Sequence, residues 1–263
     1  MRSLTIIPTY NERENLPRLI AALLKEEPAL EVLVIDDASP DGTGDIAESL
    51  AREIRQVQVL HRKGKMGLGT AYVVGFEYAL EHGYERVVQM DADFSHRPED
   101  VPRLLRATES ADVAIGSRNI EGGRVVNWSP LRRCVSKGGS LYARTLLNLP
   151  IKDCTAGFKC LRREVLEAID FSGLRSNGYG FQVEMNHLCH DAGFRIVEIP
   201  VIFPDRRVGN SKMSSDIFME AALLVLKLRW QKTWSRHKRR SERHSRAGNT
   251  TDIAPGIART LDN

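Results

Sequence analysis

Apolar residues in this chain fall in short unbroken runs, separated by stretches in which they recur at helical spacing. Leu4–Ile7, Val32–Ile35, Val57–Leu60, Val87–Met90 and Val113–Ile115 read as strands. Val32-Leu33-Val34-Ile35 is apolar throughout, the pattern of a parallel strand covered on both faces. Between the runs, Leu16, Leu19, Ile20, Leu23 and Leu24 mark one face of a helix, and further helices are expected from Thr43 to near Ile54, up to His82, and from Pro98 to near Thr108. Pro8 is expected to end the first strand, because it lacks a ladder donor and fixes φ. Strand alternating with helix at this spacing predicts an α/β fold with a parallel, doubly wound sheet.

The second half is patterned less regularly. A helix is expected from Pro130 to near Leu147, a loop from Asp153 leading into a short strand at Lys159, a helix from Gly180 to Asp191 and a strand over Ile196–Ile199. The stretch from Phe203 to Lys212 is basic, contains glycine and has no period, so it reads as a loop. Ile217 to Leu228 is a helix apolar nearly all round, yet at about 18 Å it is too short for a hydrocarbon core of about 30 Å. Residues 1–230 are therefore expected to form one catalytic domain and 231–263 a basic, then polar tail, disordered beyond Arg246.

Composition changes this picture in one respect. With 42% hydrophobic and 27% charged residues among 263, the chain can bury a sizeable core. From Lys227 to Arg246, however, nine Lys/Arg stand against Glu242 alone; this stretch is net +8 and leaves the rest net −4, against +4 for the whole. The basic balance thus belongs to the tail. Trp230 and Trp234 among these cations suit a membrane interface. The amino terminus is too short an apolar run for a signal peptide, and Cys134, Cys154, Cys160 and Cys189 show neither Cys-x-x-Cys nor zinc spacing, so a reduced cytoplasmic setting is expected.

The chemistry converges on strand ends. Val87-Val88-Gln89-Met90 stops on Asp91-Ala92-Asp93, and residues i and i+2 of an extended segment point the same way. Two carboxylates so placed suit Mg²⁺ or Mn²⁺, which keep waters and bind substrate phosphates, although an isolated Asp-x-Asp is more often a solvated turn. Tyr10, Asp37, Asp91, Asp93 and Arg118 all emerge at carboxyl ends of the expected strands, where an open α/β sheet forms its ligand crevice. Gly64-Lys65-Met66-Gly67-Leu68-Gly69 precedes a helix but fits neither a dinucleotide fingerprint nor a Walker loop. None of the seven histidines shows metal spacing, and each reads as surface or core.

Four motifs in order, Pro8-Thr9-Tyr10-Asn11-Glu12, Ile35-Asp36-Asp37-Ala38-Ser39-Pro40-Asp41-Gly42-Thr43, Lys65-Met66-Gly67-Leu68-Gly69-Thr70-Ala71-Tyr72 and Met90-Asp91-Ala92-Asp93, resemble the inverting GT-A glycosyltransferases. Within these, the closest match is the polyprenol-phosphate (dolichol-phosphate) mannose synthases, from about Ser3 to Leu228. The resemblance implies a GT-A fold, GDP-mannose as donor, a polyprenyl phosphate as acceptor and a Mg²⁺ or Mn²⁺ ion. It implies that Pro8, Tyr10, Glu12, Ile35 and Asp37 meet the guanosine part, and that Asp91, Ala92, Asp93 and Arg118 surround diphosphate, metal and sugar. Arg206 and Lys212 would close the phosphate side, with Asp91, Asp93, Arg118 and Arg206 as the catalytic set and Asp91 and Asp93 as the metal ligands. Some members carry Gln where Ser95 stands, and serine reaches less far.

Many members also carry membrane helices after the catalytic domain, where this sequence has its basic stretch. Peripheral attachment of that tail to the cytoplasmic face of a membrane, aided by a separate anchoring protein, is the corresponding expectation. Two other readings stand beside it. One keeps the fold and uses UDP-glucose; the other makes the chain a nucleic-acid or anionic-surface binder through its tail, against which no nucleic-acid module is visible, so no nucleic-acid partner is expected.

Overall fold

The structure, a computed structural model, describes residues 1–171, 174, 178–204 and 222–230. The amino-terminal half alternates as the periodicity predicts: β1 (Ser3–Thr9), α1 (Leu16–Glu26), β2 (Glu31–Asp36), α2 (Thr43–Glu53), β3 (Val57–His61), α3 (Leu68–Glu81), β4 (Arg86–Gln89), α4 (Val101–Ala107) and β5 (Val113–Ser117). Then follow β6 (Arg124–Val125), α5 (Pro130–Leu147), β7 (Lys159–Arg162), α6 (Arg163–Ala168), α7 (Tyr179–Asp191), β8 (Ile196–Pro200) and β9 (Ile202–Phe203).

Seven strands form one sheet in the order β3-β2-β1-β4-β7-β5-β8. All neighbours in it are parallel except β7, which runs antiparallel between β4 and β5. The sheet is thus mainly, not wholly, parallel. Nothing in the four residues Lys159–Arg162 could have given their direction, which is set by partners 44 to 76 positions away. The pair β6 and β9 makes a small separate parallel ribbon.

Apolar side chains alternate across the sheet into two cores. Ile7, Val32, Val34, Val88 and Ala114 face α1, α2 and α4 through Leu16, Leu19, Ile20, Ala47 and Leu104. Leu4, Ile6, Leu33, Ile35 and Val87 face α3, α5, α6 and α7 through Tyr72, Phe76, Leu147, Val165 and Phe181. Helices on both faces make a three-layer sandwich. Helix α3 lies close on β1 because Gly75 carries no side chain: a Cβ there would stand 2.6 Å from Ile6 Cδ1.

One boundary differs from the expectation. Pro8 lies inside β1, in register with Ile35 of β2, rather than ending the strand at Ile7. Thr9 O accepts from Asp37 N on the β2 side and Ile6 O accepts from Met90 N on the β4 side, so alternation turns the Pro8 nitrogen toward β4. The β1–β4 ladder has already stopped there, at Ile6 and Gln89, and the missing donor costs no bond.

Candidate active site

Three strands of the parallel half end on backbone kinks. Asn11, Ala38 and Phe94, which follow β1, β2 and β4, all have positive φ without being glycine (62°, 52° and 61°). Such conformations cost energy and persist where surrounding bonds fix them. Here the bonds are visible. After β2, Ser39 donates from N and Oγ to the two oxygens of Asp36, which also accepts from Thr9 Oγ1 at 3.0 Å. Asp41 accepts from Thr43 N and Oγ1 and from Arg13 N, while Thr43 Oγ1 in turn accepts from Glu12 N at 2.9 Å. The loops after β1 and β2 are therefore one hydrogen-bonded unit.

After β4 the arrangement is as tight. Asp91 N donates to His96 Nδ1 at 2.9 Å, and Ser95 N donates to Asp93 Oδ1 at 3.0 Å. His96 is buried, stacked on Phe158 at 4.8 Å between centroids. As acceptor at Nδ1 it must carry its proton on Nε2. This histidine belongs to the core, as its lack of metal spacing implied, but the core position also holds the Asp91 backbone.

A cleft of about 220 Å³ opens between these turns, lined by Pro8, Thr9, Tyr10, Glu12, Asp37, Lys65, Gly67, Leu68, Asp91, Ala92 and Asp93. Seven residues singled out in the sequence thus share one wall-to-wall space. Ile35 does not reach it; its side chain is wholly buried in the core shared with α3, and its carbonyl accepts from Thr9 Oγ1. Arg206 and Lys212 lie outside the described residues. Lys65, Gly67 and Leu68 line the cleft although their glycine pattern fits no phosphate loop; the signal was position, directly before a helix at a strand's carboxyl edge.

Asp91 and Asp93 present hard oxygen donors, and the buried Ser95 Oγ beside them has no hydrogen-bond partner among the described residues. No group of three or more His, Cys, Asp or Glu among those residues is placed to hold a metal ion by itself. Two carboxylates and an orphaned hydroxyl fit a Mg²⁺- or Mn²⁺-type ion that draws its other ligands from water and a diphosphate. Below them lies Tyr72, wholly buried, whose phenol is pushed well above its ordinary pKa by burial and then by the charge of Asp91. It stays a neutral donor facing the acidic pair.

Arg118, at the end of β5, does not line this cleft. Its Nε and Nη2 donate to Asp153 at 2.7 Å each, its backbone N donates to the same carboxylate at 2.9 Å, and Nη2 also reaches Thr155 Oγ1. Burial raises the Asp153 pKa, but the Arg118 charge and hydrogen bonds more than offset this and hold it below the ordinary carboxylate range. Glu198 of β8 fixes the Asp153 loop by accepting from Lys152 N and Asp153 N. The guanidinium lies 5.6 Å from the Trp128 ring and 5.2 Å from Phe203, and Arg132 stacks on the same indole at 3.9 Å. Asp153, Trp128 and Arg132 were not singled out in the sequence, where nothing marks long-range partners of Arg118.

The carboxyl edge of an open α/β sheet is where such folds form their ligand crevice, and this one is lined by the Tyr10 ring, Glu12, Asp37 and the Asp91–Asp93 pair. The sequence matches the model of glycosyl transferase family 2 over residues 5–170, and the chain belongs to that family. It is a glycosyltransferase with a GT-A fold. It is 51% identical over 235 residues to the undecaprenyl-phosphate mannosyltransferase of Micrococcus luteus, covering 88% of this chain and 97% of that one. Identity to the polyprenol monophosphomannose synthase of Mycolicibacterium smegmatis is 48% over 226 residues, 85% of each chain. The dolichol-phosphate mannosyltransferase of Pyrococcus furiosus is 37% identical over 88% of this chain and 65% of that one. Among solved structures, glucosyl-3-phosphoglycerate synthase from Mycobacterium tuberculosis with Mn²⁺ and UDP-glucose superposes with a TM-score of 0.63 at 17% identity, over 86% of this chain and 78% of that one.

Proposed function

We propose that the chain transfers mannose from GDP-mannose to a polyprenyl monophosphate with inversion at the sugar carbon, releasing GDP. The observation that carries this reading is the shared cleft of Tyr10, Asp37, Asp91 and Asp93, joined to 51% and 48% identity with mannosyltransferases named for undecaprenyl-phosphate and polyprenol monophosphate chemistry. Tyr10 covers the flat base and Asp37 accepts from base or ribose donors. Asp91 and Asp93 would hold a divalent cation, Mg²⁺ or Mn²⁺, which would supply neutralisation of the charge on the departing diphosphate.

The acceptor phosphate is anionic near neutral pH, so one of its oxygens attacks the mannose C1 directly and no side chain need take a proton. The C1–O bond to the β-phosphate breaks as the new C1–O bond forms on the opposite face, and the electron pair leaves with GDP. Arg118, held by Asp153, and also Arg206 and Lys212 supply charge-assisted hydrogen bonds to the phosphates.

A polyprenyl phosphate acceptor calls for work at a bilayer surface, which this reading takes to be the cytoplasmic face. No helix among the described residues is long and apolar enough to cross a bilayer. Helix α5 presents Leu131 and Leu141, and the helix over 222–230 presents Leu223, Leu226 and Trp230, each at least half exposed. The two helices meet where Tyr142 OH donates to Ala222 O, and both also carry exposed cations, Arg133 and Lys137 on one and Lys227 and Arg229 on the other. Apolar tips among cations are suited to an anionic bilayer surface, with the basic tail and a separate anchoring protein adding attachment.

Transfer of labelled mannose or glucose to an organic-extractable lipid tests the donor. GDP-mannose is expected to give labelled lipid and UDP-glucose none; the reverse would make the chain a polyprenyl-phosphate glucosyltransferase.

A further inference from the structure

Arg62, the residue after β3, belongs to none of the recognised motifs, yet its guanidinium joins two walls of the cleft. Nε and Nη2 form a fork on Asp37, at 2.5 Å to Oδ1 and 2.7 Å to Oδ2. Nη2 also donates to Gly67 O at 3.0 Å, and Nη1 donates to Thr70 Oγ1 at 2.7 Å. Thr70 Oγ1 lies 2.9 Å from both the Met66 and Gly67 carbonyls, so the turn that opens α3 closes on the same cation. The Arg62 and Asp37 side chains are only 7% and 10% exposed.

Two of the three partners of Arg62 border the cleft. Asp37 and Gly67 line it, and Lys65, in the same turn, stands with Nζ 4.8 Å from the Tyr10 ring centroid across the space. Asp37 is itself anchored to β1 through Asp37 N and Thr9 O. The Arg62 fork therefore fixes the distance between the Asp37 wall and the glycine-turn wall. A carboxylate oxygen accepts at two positions, so a fork using one on each oxygen leaves one on each for a ligand. Stability alone does not account for such a pair, since desolvation cancels much of the attraction in a buried ion pair.

We propose that Arg62 is a positioning residue for donor recognition: it orients Asp37 and ties it to the glycine turn, so that both walls of the nucleotide site are set before the donor arrives. This rests on the donor reading given above.

Equilibrium titration of the full chain with GDP-mannose and Mg²⁺, together with steady-state transfer kinetics, tests it in Arg62→Met, Arg62→Lys, Asp37→Asn and the double variant Arg62→Met/Asp37→Asn. Arg62→Met should weaken donor binding and raise the donor KM about tenfold, with a smaller fall in kcat at saturating donor. Arg62→Lys should recover part of the loss, because an ammonium replaces the charge but not the fork. The double variant should bind no worse than its weaker parent, since both changes break one unit. Donor affinity unchanged in Arg62→Met, or strictly additive losses, would overturn the assignment while leaving the enzyme a GDP-mannose transferase. If Arg62→Met unfolds, the same outcomes are read from Arg62→Lys. A wild-type chain that binds no GDP-mannose would instead remove the donor reading itself.

Discussion

The two halves of the sheet's carboxyl edge are built differently. On the β1–β4 side, each loop is short and is held by side chains of its own motif or of the next: Ser39 on Asp36, Thr43 on Asp41, Ser95 N on Asp93. On the β5–β8 side, the cation that matters, Arg118, is held by a residue 35 positions away, whose loop is in turn held by Glu198, 45 positions further on. Bonds within and between neighbouring loops, with Arg62 bridging two of them, preform the cleft; on the other side a cation's position depends on the second half of the chain.

The contrast is sharpest under mutation. Asp91→Asn should cut transfer by at least about 10²-fold, the size of losing one preorganised charge-stabilising group, with folding intact. Near-wild-type turnover would break the donor half of the account. Asp153→Asn, which keeps the shape but removes the charge that orients Arg118, should lower kcat by about 10- to 100-fold, as for small misplacement of a reacting group, and leave donor affinity closer to wild type. Equal loss of donor affinity would erase the distinction between the two sides.

Stability should follow the packing beneath the cleft. Gly75→Ala must push against Ile6 of β1 and should cost about 1–3 kcal/mol in chemical denaturation, as overpacking does. On the other side of the sheet centre, Lys159 of β7 is wholly buried, donates to Gln182 O at 3.2 Å, and has its pKa lowered by burial to about 7. The unfolded chain therefore binds a proton that the folded one does not between pH 7 and the ordinary lysine range, so stability should rise as pH climbs through that window. Below pH 7 the penalty is fully present. Lys159→Met should flatten this slope in urea titrations at pH 7 and pH 9. The smallest effect is expected at the outer helices: Trp230→Glu should weaken flotation with anionic vesicles a few-fold, and high salt should weaken it in wild type.

The same division explains what could be read from the chain alone. The strands and helices of the first half follow from continuous apolar runs alternating with helical spacing, and the cleft residues Tyr10, Asp37, Asp91 and Asp93 follow from their place at strand ends. Pro8 misleads because proline is tolerated wherever the neighbouring ladder has already ended. The direction of β7, the β6–β9 ribbon, the capture of Arg118 by Asp153 and the fork of Arg62 on Asp37 have no local signature; each depends on a partner brought near only by the finished topology. Ile35 shows the opposite limit, where a motif position fills the core and leaves the cleft to its neighbour Asp37.

In the proposed reaction, paired strand-end carboxylates hold a cation against the diphosphate of a sugar nucleotide. Its most direct test is transfer of labelled mannose from GDP-mannose to polyprenyl phosphate before and after chelation with EDTA, followed by re-addition of Mg²⁺ or Mn²⁺. Abolished transfer, restored by the metal in wild type and not in Asp91→Asn, is the predicted result. Transfer that proceeds undiminished in excess chelator would contradict the account.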